Sequence, residues 1–386
     1  MTKRITESEA EKQIKKFFGE GVVFFDGSID TAGSYEAIST GSPALDEAIG
    51  IGGVPRGRIT QLAGQESSGK TMLSLSCIKN YLDQNPENTA LFIDAEYTYD
   101  PEWAASQGVD VSRVMVIKTN DAKEIFEGLL GISKVNSVTK KISKSMKGIL
   151  DYVIEGEDPR FKNLGIIVLD SIAVLNTPLE VAATVGKANM APIPRFLSTE
   201  LKKLTPAVAQ ANVALIGINQ VRVDLGKMFG DPMSSPGGKA LKHACSLMIN
   251  MAPMFGADNV IKNDSDERVG HRVRAKIEKN KVGAPFKKAE YFLEYMKGIV
   301  NCEVEIFDLA VKYGLIERPT SQSYLIDGEK VRGRDNAIEA MSSNKDLVNS
   351  LDEKIRGIYT GSQPFEMETS NDEESLIDNP LLSSIE

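Results

Sequence analysis

Short hydrophobic runs alternate with longer amphipathic stretches between about residues 36 and 298. Five of these runs are almost uninterrupted: RITQLAG, ALFIDAE, RVMVIKT, GIIVLDS and VALIGINQ. Continuous hydrophobicity of this length indicates strands that are buried on both faces of a sheet. Because helical segments separate the runs, the pattern predicts an α/β fold with a mostly parallel, twisted sheet flanked by helices.

The segments on either side of this core have different patterns. Residues 7–19 predict a helix, and the strand-like run GVVFFDG follows it. One helix and one strand cannot form a core alone, so we expect residues 1–35 to be an arm that packs on another body. Residues 299–360 predict a small separate α/β domain. Residues 361–386 are polar, acidic and turn-rich, and are expected to be disordered.

Two segments interrupt the core, which we place at 36–298. An insertion at about 132–163 begins with a lysine-rich stretch, ISKVNSVTKKISKSMKG, that contains no acid. This stretch has two interpretations, a disordered insertion or an extra DNA-contacting element. Residues 226–239 are rich in Gly, Pro and Ser between two strand-like runs, which is typical of a loop.

The composition of the chain argues against several classes of protein. The chain has 386 residues, 41% of them hydrophobic, and no apolar run approaches the roughly 18 residues of a membrane helix. The N-terminus lacks the apolar stretch of a secretory signal, so we expect a cytoplasmic protein without a membrane partner. Three dispersed cysteines and two histidines argue against a disulfide framework, a zinc knuckle or a histidine-rich metal site.

The net charge of −9 is unevenly distributed. Residues 362–386 contain seven acids and no Lys or Arg, which leaves −2 for the other 361 residues. The body of the chain is therefore nearly neutral, and local basic surfaces that bind nucleic acid remain compatible with it.

The strongest motif is a complete GxxxxGK[ST] sequence between a predicted strand and a predicted helix. Its residues are Gly64, Gln65, Glu66, Ser67, Ser68, Gly69, Lys70 and Thr71. In such a loop the backbone N–H groups surround phosphate oxygens, and the lysine supplies positive charge to them. The threonine hydroxyl can bind Mg²⁺. The motif therefore predicts a nucleotide site with a bound Mg²⁺ ion.

Polar residues end three of the predicted strands. Asp170 follows the run IIVL and would complete the Mg²⁺ site through a water molecule. Glu96 ends ALFIDAE and is a candidate to activate water, although a surface acid at a strand end has the same pattern. Gln220 ends VALIGINQ just before the loop 226–239 and is a candidate to contact the γ-phosphate.

Several longer segments together resemble one family. They are ESSGKT, FIDAEYTYDP, VLDSIAVL, INQVR, KMFGDPMSSPGGKALK and EKNKVGAPFKKAEY. In consistent order over roughly residues 8–345, these segments resemble the strand-exchange recombinases of the RecA family, including their phage relatives. The loop segment and EKNKVGAPFKK are much more specific than the phosphate-binding motif.

The resemblance implies roles for residues around ATP. Glu96 matches the catalytic glutamate, and Gln220 matches the glutamine that senses the γ-phosphate. Lys279 and Lys281 match a pair that reaches the γ-phosphate from the neighbouring protomer, although composition alone favours a solvated strand end. Three further residues match positions on the adenine side: Asp100, Trp103 and Tyr295.

The resemblance also implies a DNA channel lined by segments 176–190 and 222–238. The residues that fall on or beside DNA-contacting positions are Met190, Arg195, Ser198, Lys202, Arg222, Leu225, Phe229, Gly237 and Gly238. Basic side chains, hydroxyls and glycine amides suit phosphates, while Met and Leu suit insertion between bases. Residues 7–25 match the arm that builds a helical filament.

The sequence departs from the family at His243, where an aromatic is common, and at Asp224, where a basic residue is common. Both departures concern the coupling of nucleotide state between subunits. The lysine-rich insertion suggests a divergent or phage-encoded member. The acidic tail has two interpretations, self-restraint of DNA binding or simple solubility.

We therefore expect an ATP-dependent homologous recombinase, a DNA-dependent ATPase that polymerises on single-stranded DNA and pairs it with a homologous duplex. Single-strand-binding and loader proteins are expected as further partners. The alternatives are a hexameric helicase or motor with the same core, and a non-enzymatic regulator of recombinase filaments. The loop segment argues against the motor, and the intact Lys70 and Glu96 argue against the regulator.

Overall fold

The computed structural model describes residues 35–135, 142–181, 192–223, 233–234 and 238–361. The elements below lie within residues 37–360. The predicted arm and the acidic tail 362–386 lie outside the described residues. No helix in the described ranges is long and apolar enough to cross a membrane.

The strands are β1 (Ala37–Ile38), β2 (Val54–Pro55), β3 (Ile59–Gly64), β4 (Thr89–Asp94), β5 (Val114–Lys118), β6 (Ile132–Val135), β7 (Ile142–Met146), β8 (Leu164–Asp170), β9 (Ala214–Gln220), β10 (Arg222–Val223), β11 (Met233–Ser234), β12 (Leu247–Pro253), β13 (Val260–Lys262), β14 (Arg268–Asn280), β15 (Lys288–Glu294), β16 (Gly298–Val300), β17 (Ser323–Ile326) and β18 (Glu329–Arg332). The helices are α1 (Pro43–Ile49), α2 (Lys70–Gln84), α3 (Pro101–Ser106), α4 (Ala122–Leu130), α5 (Ile149–Glu155), α6 (Pro178–Val181), α7 (Pro192–Gln210), α8 (Gly238–Ala244), α9 (Cys302–Lys312), α10 (Arg334–Ser342) and α11 (Lys345–Thr360).

The main sheet has ten strands in the order β16-β15-β14-β12-β3-β9-β8-β4-β5, with β13 paired to β14. The six strands from β12 to β5 are parallel, and β14, β15 and β16 extend the sheet in antiparallel pairing. The predicted α/β class with a mostly parallel sheet flanked by helices is confirmed. The five hydrophobic runs correspond to β3, β4, β5, β8 and β9.

Two hydrophobic cores lie on opposite faces of this sheet. In β8 all seven residues are buried, and successive residues point to opposite faces. Ile166 and Val168 join the core that contains α2, whereas Ile167 and Leu169 join the core that contains α4 and α7. Burial on both faces explains why β3, β4, β8 and β9 have no polar alternation. The expectation is wrong for β5, which is half-buried to exposed because it is the last strand at one side of the sheet.

A third core is formed by residues from α9, the β17–β18 hairpin, α10 and α11, around Phe307, Met341 and Ile355. It lies within the predicted C-terminal domain, and the predicted boundary near 298 stays a prediction. Two helices, α10 and α11, follow the hairpin.

Buried polar contacts join this third core to α1. Glu305 of α9 accepts hydrogen bonds from the Ser42 hydroxyl at 2.5 Å and from the Ala44 amide at 2.9 Å. Burial first, and the nearby Asp46 to a lesser degree, raise the pKa of Glu305 to about 8, against these two hydrogen bonds and the charge of Arg272. Glu305 is therefore held largely protonated at neutral pH.

The lysine-rich insertion contains an antiparallel hairpin of β6 and β7. Lys144 pairs with Asp151, and Lys147 Nζ lies 2.6 Å from Glu155 Oε2, both acids of α5. The disordered interpretation is therefore wrong for these two strands. The DNA-contacting interpretation stays a prediction, and residues 136–141 lie outside the described ranges.

Candidate functional site

The phosphate-binding motif forms the connection from β3 to α2. β3 ends at Gly64 and α2 begins at Lys70. Gly69 caps α2 with φ 83°, and a Cβ on it would lie 2.2 Å from Leu293 Cδ1. A Cβ on Gly64 would lie 2.3 Å from the Met251 carbonyl oxygen. Glycine is thus required at both ends of the loop, where the neighbouring strands approach its backbone closely.

Lys70 points back into the loop. Its Nζ donates to the carbonyl oxygens of Gly64 at 3.1 Å and Gln65 at 2.6 Å. Burial lowers the pKa of Lys70, while the negative charges of Asp170, Glu96 and Glu66 oppose that shift. The Lys70 ammonium group therefore lies beside the space in which phosphate oxygens would bind. This space is next to the start of α2, and the start of a helix favours anions.

Thr71 and Asp170 form a pair of oxygen donors beside Lys70. The Thr71 hydroxyl donates to Asp170 Oδ2 at 2.7 Å. Burial, with a further contribution from Glu96, raises the pKa of Asp170 to about 6, although the Thr71 hydrogen bond and Lys70 lower it. A divalent cation would suit this pair, since Mg²⁺ prefers oxygen ligands and keeps several waters.

The cation site is incomplete without a ligand. No cluster of three or more His, Cys, Asp or Glu side chains suited to a metal ion occurs in the described part of the chain. A hydroxyl and one carboxylate fit Mg²⁺ only where phosphate oxygens and water complete the shell. The residues present therefore fit a cation that binds together with a nucleotide.

Glu96 follows β4 at the carboxyl edge of the sheet, where it contacts residues that end or follow the neighbouring strands. Its Oε1 accepts hydrogen bonds from the Ser171 hydroxyl and, at 3.3 Å, from Gln220 Nε2. The three neighbouring strands β4, β8 and β9 supply these groups because all three end at this edge. Ser171 was not predicted from the sequence, although its place directly after Asp170 gave a signal. The peptide bond between Asp170 and Ser171 is cis.

A cleft of about 620 Å³ extends from the loop towards an aromatic wall. Its lining includes Gln65–Met72, Trp103, Pro253, Phe255, Arg268, His271 and Tyr295. The Trp103 indole N–H donates to the Tyr295 carbonyl oxygen at 2.9 Å, which fixes the ring in this wall. Asp100 lies just outside the lining, where its carboxylate caps α3 by accepting from the amides of Glu102 and Trp103. The sequence did not single out Phe255, Arg268 or His271.

Lys279 and Lys281 lie at the opposite edge of the sheet. Lys279 pairs with Met248, whereas Gly64 pairs with Met251, three residues further along β12. At about 3.3 Å per residue this is roughly 10 Å along the strand, with the phosphate loop beyond it. Lys279 Nζ donates to the Lys242 carbonyl, and burial followed by the charge of Lys281 lowers the pKa of Lys279. Within one chain these lysines do not meet the loop.

Three of the predicted DNA-contacting residues share one face of α7. Arg195, Ser198 and Lys202 are spaced by three and four residues, and Arg195 and Lys202 are exposed. Gly238 is exposed at the start of α8. The other predicted residues, Met190, Leu225, Phe229 and Gly237, lie outside the described residues, as does Asp224, and only the backbone of Arg222 is described. His243 is exposed in α8.

Comparisons with known proteins agree with this geometry. Residues 5–300 match the RecA N-terminal domain family. The chain is 34% identical to Protein RecA of Borrelia duttonii over 349 residues, 90% of this chain and 87% of that one. It is 36% identical to Protein RecA of Frankia alni over 345 residues, 89% of each chain.

Proposed function

Because the chain belongs to the RecA family of ATP-dependent recombinases that act in DNA recombination and repair, we propose that it couples ATP hydrolysis to DNA strand exchange. In this proposal, protomers polymerise on single-stranded DNA and pair it with a homologous duplex. The observation that carries the proposal is the meeting of Lys70, Asp170, Glu96 and Gln220 at one edge of the sheet. The family binds DNA and ATP and forms filaments.

The phosphate loop would bind the triphosphate of ATP. Lys70 would exchange its two carbonyl contacts for phosphate oxygens, and the loop amides would hold the others. Thr71 would bind Mg²⁺ directly and Asp170 through water. When bound, the ion neutralises charge that develops on the phosphates during hydrolysis.

Glu96 would orient and deprotonate the attacking water. Its Oε1 already accepts two hydrogen bonds, from Ser171 and Gln220 at 3.3 Å, so the carboxylate is held in a fixed position. Such positioning reduces the entropy that the reaction must lose. Ser171 is a positioning residue in this proposal, because it acts through Glu96.

Gln220 would report the nucleotide state to the DNA-binding loop. Its amide is bound to Glu96 at 3.3 Å, and β10, which leads into the loop region, begins two residues later. A γ-phosphate beside Glu96 would compete for the Gln220 amide. The exchange of that hydrogen bond would change the loop between two states, as nucleotide switches do.

Lys279 and Lys281 would act on the ATP of the neighbouring protomer. Their place at the edge opposite the phosphate loop supports this proposal, because a head-to-tail assembly brings opposite edges of two copies together. Two lysines there would do the work of an arginine finger. ATP hydrolysis would then require assembly.

The exposed face of α7 with Arg195, Ser198 and Lys202 would hold DNA phosphates. Contacts to phosphates carry no sequence information, which suits a protein that leaves specificity to base pairing. Arg222, Leu225, Phe229 and the other predicted loop residues stay predictions.

The first test is ATP hydrolysis with and without single-stranded DNA, over a range of protein concentrations and two salt concentrations. We expect strong stimulation by DNA, a steep dependence on protein concentration, and a decrease at higher salt. Transfer of a labelled strand to a homologous duplex tests the coupling. A rate of ATP hydrolysis that does not change when DNA is added would refute the proposal. It would favour a motor with another substrate, or a regulator.

A further inference from the structure

His271 lies in the wall of the cleft proposed to bind ATP, near the start of β14. Its side chain is 3% exposed. It pairs across the sheet with Leu293, so the two side chains share one face. Leu293 Cδ1 is the atom that packs against Gly69 at the start of α2. His271 therefore faces the side of the sheet on which the phosphate loop lies.

Both ring nitrogens of His271 are buried and have no hydrogen-bond partner among the described residues. A buried polar group without a partner is unfavourable, and such groups often mark a place where a ligand or water binds. Burial, and then the charge of Arg268, lower the pKa of His271, so the imidazole is neutral at neutral pH. It then has one donor and one acceptor nitrogen.

The position of His271 along the cleft indicates which part of a nucleotide it meets. The phosphate loop forms one end of the cleft, and Trp103 and Tyr295 form the aromatic end. The ring of His271 lies 5.7 Å from the ring of Tyr295, on the strand next to Leu293. It is thus placed between the two ends, where the ribose of a nucleotide would lie.

We propose that His271 hydrogen-bonds to a ribose hydroxyl of bound ATP and makes this cleft prefer ribonucleotides to deoxyribonucleotides. The inference rests on the placement of ATP in the proposed function. A hydroxyl both donates and accepts, so it satisfies either tautomer of the neutral ring. A deoxyribose would leave the imidazole buried without a partner, which is the situation that discriminates best between two ligands.

The test is calorimetric binding of ATP, 2′-deoxy-ATP and 3′-deoxy-ATP to the full chain without DNA. We expect the wild type to bind ATP roughly three- to tenfold more tightly than at least one deoxy analogue, as one neutral hydrogen bond would give. His271→Phe keeps the ring shape without nitrogens and should bind all three equally. His271→Gln, which can still hydrogen-bond, should keep the preference.

Arg274→Ala is the matched control, because Arg274 is exposed on the other face of the same strand and pairs with Glu290. It should keep the wild-type preference. Equal binding of all three nucleotides by the wild type, or an unchanged preference in His271→Phe, would overturn the inference. Thermal unfolding checks that the variants fold, and His271→Leu replaces His271→Phe where the larger ring is not tolerated.

The two proposals fail in different ways. Suppose that His271→Phe removes a ribonucleotide preference, while the rate of ATP hydrolysis does not change when DNA is added. This result would support the role of His271 and refute the recombinase mechanism. DNA-stimulated hydrolysis with no sugar preference would leave the recombinase mechanism in place and refute the role of His271.

Discussion

The placement of Lys279 and Lys281 at the edge opposite the phosphate loop leads to a complementation experiment. Two variants are expected to be inactive for different reasons. In the proposed function, Glu96→Gln lacks the group that would activate water, and the double variant Lys279→Ala with Lys281→Ala lacks the two cations that would reach the neighbouring ATP. The double-lysine variant should lose about 10³-fold or more in DNA-stimulated hydrolysis, the usual effect of removing an arginine finger. Glu96→Gln alone should also hydrolyse little. If the site is built from two protomers, a mixture should regain activity.

The size of the recovery follows from the geometry. An interface is active when the protomer that supplies Glu96 is the double-lysine variant and the protomer that supplies the lysines is Glu96→Gln. In an equal mixture on saturating single-stranded DNA, random assembly of a head-to-tail filament makes roughly a quarter of the interfaces active. We therefore expect about one quarter of the wild-type rate per protomer, measured by phosphate release.

The control is Lys276→Ala. Lys276 is an exposed lysine of the same strand, β14, and it pairs with Lys288 of β15. It lies three residues before Lys279, away from the end of the strand that is proposed to reach the neighbouring protomer. This variant should keep near wild-type hydrolysis. A mixture that stays as inactive as its components, while both variants still bind single-stranded DNA, would refute the placement of the lysines in the neighbouring site.

Three further predictions concern single positions. Lys70→Ala should lose nucleotide-dependent DNA binding, whereas Glu96→Ala should bind ATP and form stable filaments but hydrolyse little. Filament sedimentation and phosphate release distinguish the two variants. ATP turnover retained by Glu96→Ala would show that Glu96 is not the catalytic residue. Removing the charges of Arg195 and Lys202 should weaken binding to all single-stranded sequences and reduce the slope of log K against log salt by about 0.7 for each lost phosphate contact. Glu305, with its pKa raised from 4.5 to about 8, binds a proton in the folded state that the unfolded state releases above pH 4.5. The wild type should therefore lose about 3 kcal/mol of unfolding free energy between pH 5.5 and 7.5 relative to Glu305→Gln; parallel urea-unfolding profiles of the two proteins would contradict this.

Five of the six parallel strands were predictable, whereas the parallel strand β12 and the antiparallel strands were not, for a physical reason. β8 is buried on both faces, so its sequence is continuously hydrophobic. From His271 to Ile277, β14 alternates buried residues with more exposed ones, and its core-facing residues include a histidine. Alternation of this kind is shared by surface strands of many folds. The sequence therefore did not reveal that β14 joins β12 and extends the sheet past the phosphate loop.

The same difference applies to the site. The loop 64–71 was recognisable because the glycines, lysine and threonine that define the phosphate-binding motif lie within eight consecutive residues. His271 was not, because a single histidine in an alternating strand has no local signal, and its role depends on Leu293 and Tyr295 across the sheet. Trp103 was placed on the adenine side by the resemblance alone. In the structure it packs against the core that contains α2 and also lines the cleft.

Contacts between distant residues at the carboxyl edge depend on strand order, which the hydrophobic runs do not contain. Along the chain Glu96 precedes Gln220 by 124 residues. In the sheet β8 lies between β4 and β9, so Asp170 and Ser171 enter the space between them. The chain leaves β4 for the edge strand β5 and returns to β8, and ligands of α/β proteins bind at such reversals of strand order. The hydrogen bonds that join Ser171, Glu96 and Gln220 are thus a consequence of this return. In the proposed function they connect the carboxylate that would activate water to the residue that precedes the loop proposed to bind DNA.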